Sequence, residues 1–212
     1  MQTTRSAVEA ALGVRVAMAT ATEPIAVSAL TRGEREQLAR LPSAPARRRE
    51  WLMARGALRA VLAEVGSEPD TATIRFPSPT CSVTHGGGLA MAIAAHSGGT
   101  SGIGLDFEPH RSMNPTAAKF FLTAAERAWV DAQPASARSG HLLRLWTVKE
   151  AAYKANTCNR GTHLRQYTAT NAARWSGVAF GPSSGAARYV TIALPSGVLT
   201  VAARARDEAS AC

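Results

Sequence analysis

The stretch GIGLDFEPH, residues 102–110, constrains the fold more than any other part of the chain. It runs apolar, offers Asp106 and Glu108 two positions apart, and is stopped by Pro109. A short apolar run bounded by turn signals reads as a buried strand. Residues i and i+2 of a strand share a face, so Asp106 and Glu108 stand side by side while Leu105 and Phe107 pack behind them. Two adjacent carboxylates raise each other's pKa unless something positive sits beside them. A divalent metal is an economical answer, and an all-oxygen set favours Mg²⁺ or Mn²⁺. A strand end with both acids facing water gives the same pattern.

Around this strand the periodicity predicts two α+β halves meeting near residues 100–105, divided as 1–104 and 105–212. TRGEREQLARL (31–41) has a Thr-x-x-Glu start and reads as a short helix. Residues 43–66 carry Pro near the start, apolar residues at helical spacing and Gly66 as a stop, which predicts a long helix. TIRFP, CSVTH and LAMAIAAH read as strands broken by Gly-rich turns. After the acidic strand come NPTAAKFF and LTAAERAWVDAQ as helical segments, a loop at PASARSG, and a long helix, HLLRLWTVKEAAYKAN. The remainder is β-rich: RWSGVAFG, ARYVTIAL and GVLTVAARA, with PSG as a hairpin turn. The expected fold is therefore α+β, two pseudo-symmetric halves packed together, each a small antiparallel sheet with a long helix.

A hydrophobic content of 46% against 18% charged residues describes a chain able to bury a core. No apolar stretch reaches the length of a membrane span, and Glu9 and Arg15 interrupt any leader-like run near the start. Cys81, Cys158 and Cys212 are too scattered for a disulfide framework or a metal knuckle, so a cytoplasmic protein with reduced thiols is expected. The net charge of +9 asks for an acidic partner. Only Arg47-Arg48-Arg49 form a tight basic cluster, without interleaved aromatics, so nucleic acid is not the expected partner. Arginine supplies most of the positive charge, yet two of the three lysines, Lys149 and Lys154, sit together in WTVKEAAYKA. Lysine is a compact point charge on a flexible stem, which suits a phosphate.

On that helix Glu150 and Lys154 are i,i+4 and share a face. An ordinary surface ion pair accounts for them. Functionally, Glu150 completes a three-carboxylate metal site with Asp106 and Glu108, and Lys154 neutralises a phosphate on the same metal.

GIGLDFEPH followed by Glu150 in WTVKEAAYK, 44 positions after Asp106, resembles the 4′-phosphopantetheinyl transferases of the surfactin/enterobactin type. Their signature is (V/I)-G-(I/V)-D-x-E and then W-(S/T/C)-x-K-E-(A/S)-x-x-K. The resemblance spans about residues 45–155. It implies that Asp106, Glu108 and Glu150 are Mg²⁺ ligands, with a water able to stand in for Glu108. It also implies that Lys154 contacts the diphosphate of coenzyme A, with Lys149, a second lysine of the same motif, also among the residues that bind coenzyme A. VTHGGG resembles the family's S/T-H-S/C-x-G element and makes His85 a phosphate contact; a turn histidine before glycines is the plain alternative. RRREWLMAR resembles the family's arginine helix, which assigns Arg47 and Arg55 to the 3′-phosphate of coenzyme A. Arg48 or Arg49 replaces Arg47 if the helix phase shifts by one residue. FFLTAAER resembles the family segment whose glutamate is proposed to take the proton from an attacking serine, which makes Glu126 a catalytic candidate. Thr123-x-x-Glu126 is equally a capping box, and a glutamate there could also serve as a fourth group of the metal shell.

The activity implied is transfer of the phosphopantetheine arm of coenzyme A to a serine of an acidic acyl or peptidyl carrier protein. The transferase implied is Mg²⁺-dependent and monomeric, and it releases 3′,5′-ADP. A non-catalytic homologue that binds coenzyme A or a carrier, and a Mg²⁺-dependent hydrolase of nucleotide diphosphates, use the same residues. The chain departs from the family at IRFPSPTCSVTH, where Arg75 is the one cation, and at NTCNRGTHLRQY after the second motif. Those departures leave the adenine contacts unassigned.

Overall fold

Alternation along the strands decides how the layers stack. In β3 (Leu89–Ala95), Met91, Ile93 and Ala95 point one way and Ala92 and Ala94 the other. The alanines meet Ala57, Leu58 and Val61 of α3 (Pro45–Glu64). The larger side chains face a second sheet, meeting Ile103, Leu105 and Phe107 of β4 (Thr100–Pro109) and Leu199 and Val201 of β8 (Gly197–Ala205). The computed structural model describes residues 2–67, 70–96, 98–182 and 185–206, and Cys212 lies outside them.

The first sheet has the order β1-β3-β2, with β1 at Val16–Ala21 and β2 at Cys81–Gly86. The turn from β2 to β3 runs through Gly87 and Gly88, both at positive φ, as a tight right-twisted hairpin demands. The second sheet has the order β4-β8-β7-β6-β5, with β5 at Thr168–Ala169, β6 at Ser176–Phe180 and β7 at Ala186–Leu194. Its outer face carries α6 (Ala135–Ala155). The layers therefore run α3, first sheet, second sheet, α6, which is the expected arrangement of two α+β halves. α1 (Gln2–Leu12) inserts Val8 and Leu12 into the core between the sheets. α2 (Arg32–Arg40) is started by the capping box of Thr31 and Glu34, and α4 (Ala118–Phe121) and α5 (Ala124–Asp131) precede α6.

Several expectations need correction. Residues 74–77 form no strand; Ile74 only caps a short 3₁₀ turn at Thr71–Thr73. The supposed loop at residues 134–140 is the first part of α6, entered at Pro134. The boundary at 104/105 falls inside β4, whose length from Thr100 to Pro109 pairs with β8. α1 and β1 were not anticipated. Cys81 is a buried free thiol, whereas Cys158 is disulfide-bonded, against the expectation of reduced thiols. Among the described residues, no helix is long and apolar enough to cross a membrane.

The halves meet along the outer edge of β4. The amides of Leu105 and Phe107 donate to Ser82 Oγ at 3.0 Å and Thr84 Oγ1 at 3.2 Å, so β2 satisfies them with side chains. On its α6 side β4 presents Gly102 and Gly104, and a Cβ at either would overlap the carbonyl oxygen of Ala155 or Ala151. The helix backbone thus rests directly on the strand. Gly104→Ala should force α6 off β4 and lower stability by about 2 kcal/mol or more. Gly140→Ala, at a helical position with open space around it, should instead stabilise by about 0.5–1 kcal/mol. Thermal unfolding of the two variants checks both directions.

Candidate active site

Strand β4 and helix α6 supply the charged centre. Lys154 Nζ donates to Leu105 O at 3.1 Å and to Asp106 Oδ1 at 2.8 Å. Asp106 is 5% exposed, and Thr84 Oγ1 donates to the same carboxylate oxygen at 3.3 Å. The other oxygen, Asp106 Oδ2, is buried with no hydrogen-bond partner among the described residues. Burial pushes the Asp106 carboxyl above its ordinary pKa; the Lys154 charge and hydrogen bond oppose this, and the Glu108 charge adds to it. Glu150 is raised too, first by burial and then by the charge of Asp106, with Lys154 again opposing. No ion pair joins Glu150 to Lys154: the lysine crosses to the strand, so the pair is not an ordinary i,i+4 surface bridge.

Glu108 stands at the rim. Its Oε1 accepts from Trp146 Nε1 at 2.9 Å, and its Oε2 takes Arg111 through Nε at 3.2 Å and NH2 at 3.1 Å. Asp106, Glu108 and Glu150 are close enough for each acid to shift Glu150 electrostatically. Among the described residues, no group of three or more His, Cys, Asp or Glu side chains is placed to hold a metal ion by itself. The donor chemistry, carboxylate oxygens alone, is nevertheless of the kind that suits a hard divalent cation. An orphaned buried carboxylate oxygen and two acids with raised pKa values are what an added positive charge would relieve.

Two cavities run from this centre. One of about 370 Å³ is lined by Phe76, Pro77, Ser82, Val83, Tyr153, Lys154 and Asn159. The other, of about 170 Å³, is lined by Arg47, Trp51, Ala54, Arg55, Leu58, Phe76, Val83 and His85. Phe76 and Val83 belong to both, so the two make one groove from Lys154 to the arginines of α3. Arg47 NH1 lies 3.4 Å from His85 Nε2. The helix phase favours Arg47 over its neighbours: Arg48 donates to Leu38 O at 3.1 Å and Arg49 to Thr22 O at 3.0 Å, away from the groove. Arg55 stacks over Trp51 at 4.6 Å and donates to Thr71 O and Gln37 Oε1. Burial lowers its pKa, while Glu34 and Asp70 oppose the shift.

Two predicted residues lie elsewhere. Lys149 is 1% exposed, lines neither cavity, and gives its ammonium to Glu126 Oε2 at 2.7 Å and to Tyr167 O. One residue from Glu150 on a helix is a rotation of about 100°, which turns Lys149 inward. Glu126, 3% exposed, caps α5: Oε2 accepts from Thr123 N at 2.8 Å and Oε1 from Ala169 N at 3.2 Å. The capping box is present and accounts for Glu126 together with Lys149. Thr84 and Trp146 stand inside the quoted VTHGGG and WTVKEAAYK elements but were given no role there, and Arg111 lies outside both.

A model of the 4′-phosphopantetheinyl transferase superfamily matches residues 102–188, from the glycines of β4 into β7. The match takes in Asp106, Glu108, Glu126, Lys149, Glu150 and Lys154, while the arginine helix and His85 lie outside it. No curated protein matches the chain.

An unrelieved acid cluster costs stability. Glu150 carries a raised folded pKa, so the native state holds its proton more tightly than the unfolded chain. Its penalty is absent below the unfolded value of about 4.3 and grows as pH rises through the folded value. Glu150→Gln should raise the metal-free melting temperature at neutral pH by about 2–4 °C. The gain should shrink towards pH 4 and when Mg²⁺ is added to both proteins; calorimetric scans with and without the ion test this.

Proposed function

We propose that this chain, which carries a 4′-phosphopantetheinyl transferase superfamily domain over residues 102–188, moves the phosphopantetheine arm of coenzyme A onto a carrier-protein serine. The observation that carries the reading is the meeting of Lys154 with Asp106 across α6 and β4, with Glu150 in electrostatic reach and Asp106 Oδ2 unpartnered.

In this mechanism Arg47, Arg55 and His85 anchor the 3′-phosphate at one end of the groove. Lys154 meets the diphosphate at the other end, where its ammonium offsets charge on the transferring and leaving oxygens. Asp106 and Glu150, with Glu108 direct or through water, would hold Mg²⁺ or Mn²⁺. When bound, that ion supplies Lewis-acid charge on the diphosphate oxygens. The serine hydroxyl oxygen attacks the phosphorus bearing the pantetheine arm, the anhydride bond breaks, and 3′,5′-ADP leaves. The serine proton needs a carboxylate with an open lone pair beside the phosphates. The Glu150 side chain makes no hydrogen bond among the described residues, so a carboxylate oxygen not used by the metal is open to take that proton. Glu126 is enclosed by Thr123, Lys149 and Ala169 and acts by holding α5, α6 and β5 together. The charge of +9 would draw an acidic carrier towards the groove.

Incubation of the protein with an apo carrier, coenzyme A and Mg²⁺ should add one phosphopantetheine mass to the carrier serine, and nothing should be released when the carrier is omitted. Asp106→Ala and Glu150→Ala should abolish the gain while the far-ultraviolet dichroism stays native. Glu126→Gln should lower stability yet keep the turnover and the acidic limb of its pH profile. A folded Glu126→Gln variant slowed about a hundredfold would return the base role to Glu126. Release of phosphopantetheine without a carrier would make the protein a hydrolase.

A further inference from the structure

The three acids of the candidate site are not equally open. Asp106 keeps one oxygen without a partner among the described residues, and the Glu150 side chain makes no hydrogen bond among them. Glu108 is engaged at both oxygens. Its Oε1 accepts from Trp146 Nε1 at 2.9 Å, and against its Oε2 lie Arg111 Nε at 3.2 Å and Arg111 NH2 at 3.1 Å. A guanidinium facing a carboxylate commonly spreads its fork over both oxygens. Here both nitrogens converge on one oxygen, because the indole holds the other.

Both partners are held from behind. The Trp146 ring stands edge-on to buried Phe121 of α4, centroids 5.1 Å apart. The backbone that carries Arg111 is anchored on either side. His110 N donates to Ser196 O at 3.3 Å, and Met113 N donates to Ser139 Oγ at 2.8 Å. Arg111 is therefore delivered to Glu108 by a short anchored segment, although its side chain is 46% exposed. A cation approaching Glu108 must displace the guanidinium or meet its positive charge at close range.

We infer that Arg111 is an internal competitor for the divalent cation, holding Glu108 back so that Asp106 and Glu150 are the two acids that take the ion. The inference rests on the transferase reading above and adds a positioning residue to it. Mg²⁺ is octahedral and commonly spends one or two positions on carboxylates, leaving the rest to water and phosphate oxygens. With Glu108 withheld, one more position stays open to the diphosphate. The Glu108 charge serves instead to fix the indole of α6. Arg111 thus sets how tightly the free protein holds its metal without touching the substrate.

The test is titration of the full chain with Mn²⁺ alone, carried into the millimolar range and followed by the electron paramagnetic resonance of the free ion. Water-proton relaxation counts the waters left on the bound ion. Arg111→Gln should tighten Mn²⁺ about fivefold and leave about one water fewer on it than wild type, because Glu108 takes that position. Glu108→Gln/Arg111→Gln, which keeps the net charge of wild type, should return affinity and water count to the wild-type values. Unchanged affinity in Arg111→Gln overturns the competition, and so does tighter binding with no water lost, which is a charge effect at a distance. A double variant weakened more than about tenfold shows Glu108 to be a ligand already and overturns it too. In each of these cases the transferase reading stands if coenzyme A and Mg²⁺ still arm the carrier. Absence of Mn²⁺ binding to wild type and Arg111→Gln alike overturns the competition; if the carrier is not armed either, both readings fall.

Discussion

The contact between the α6 backbone and the two glycines of β4 sets the register of the candidate site. Helix and strand run antiparallel, so Ala151 lies over Gly104 and Ala155 over Gly102. Four helical residues advance about 6 Å, and two strand residues advance about 6.6 Å. The two repeats therefore stay in step over several residues. Lys154 reaches Leu105 O and Asp106, Trp146 reaches Glu108, and Glu150 stands between them on the same face. A side chain at either glycine would spoil this matching before it disturbed any charge.

The same helix divides two kinds of charge. Lys154 lines the groove and Glu150, partly exposed, lies one turn before it on the same helical face, with raised proton affinity on the acid. Lys149 turns inward and pairs with Glu126 at 1% and 3% side-chain exposure. Burial lowers the Lys149 pKa while the Glu126 charge holds it up. A buried pair of this kind gains little net stability over an apolar one, but losing one partner strands the other. Its service here is geometric: the carboxylate that caps α5 and accepts from Ala169 also fixes the rotation of α6. The groove side can then afford unrelieved acids because the inner side is pinned.

How much of this the sequence carried depended on the range of the contacts involved. The α2 and α5 capping boxes, the Gly66 stop and the acidic strand are local patterns, and each was legible. Residues 135–140, ASARSG, contain no apolar stripe and one glycine, so they read as a loop although α6 begins there. VAMATA of β1 is half alanine, which carries little strand signal, and no strand was expected there. Within the site, the acid–lysine pattern was legible because its spacing follows strand and helix periods. Thr84 and Arg111 were not, because Thr84 acts across the junction of the halves and Arg111 lies beyond the proline that ends the strand. Lys149 was misplaced because its motif membership says nothing of helical rotation.

The groove is electrostatically lopsided, and that shapes the order of binding under the proposed reading. At the β4 end three carboxylates, Asp106, Glu108 and Glu150, face the two cations Lys154 and Arg111. At the α3 end Arg47 lies 3.8 Å from Glu50, and Arg55 feels Glu34 and Asp70, the first of which is already paired with Arg59. A diphosphate approaching the acid end would meet a net negative field unless a cation had reversed it. A 3′-phosphate approaching the arginine end meets attraction from the outset. The nucleotide can therefore be held by its 3′-phosphate independently of the metal, and the metal is needed only where the bond is broken. Binding energy collected far from the reacting phosphorus is then available to bring the diphosphate up against the acids.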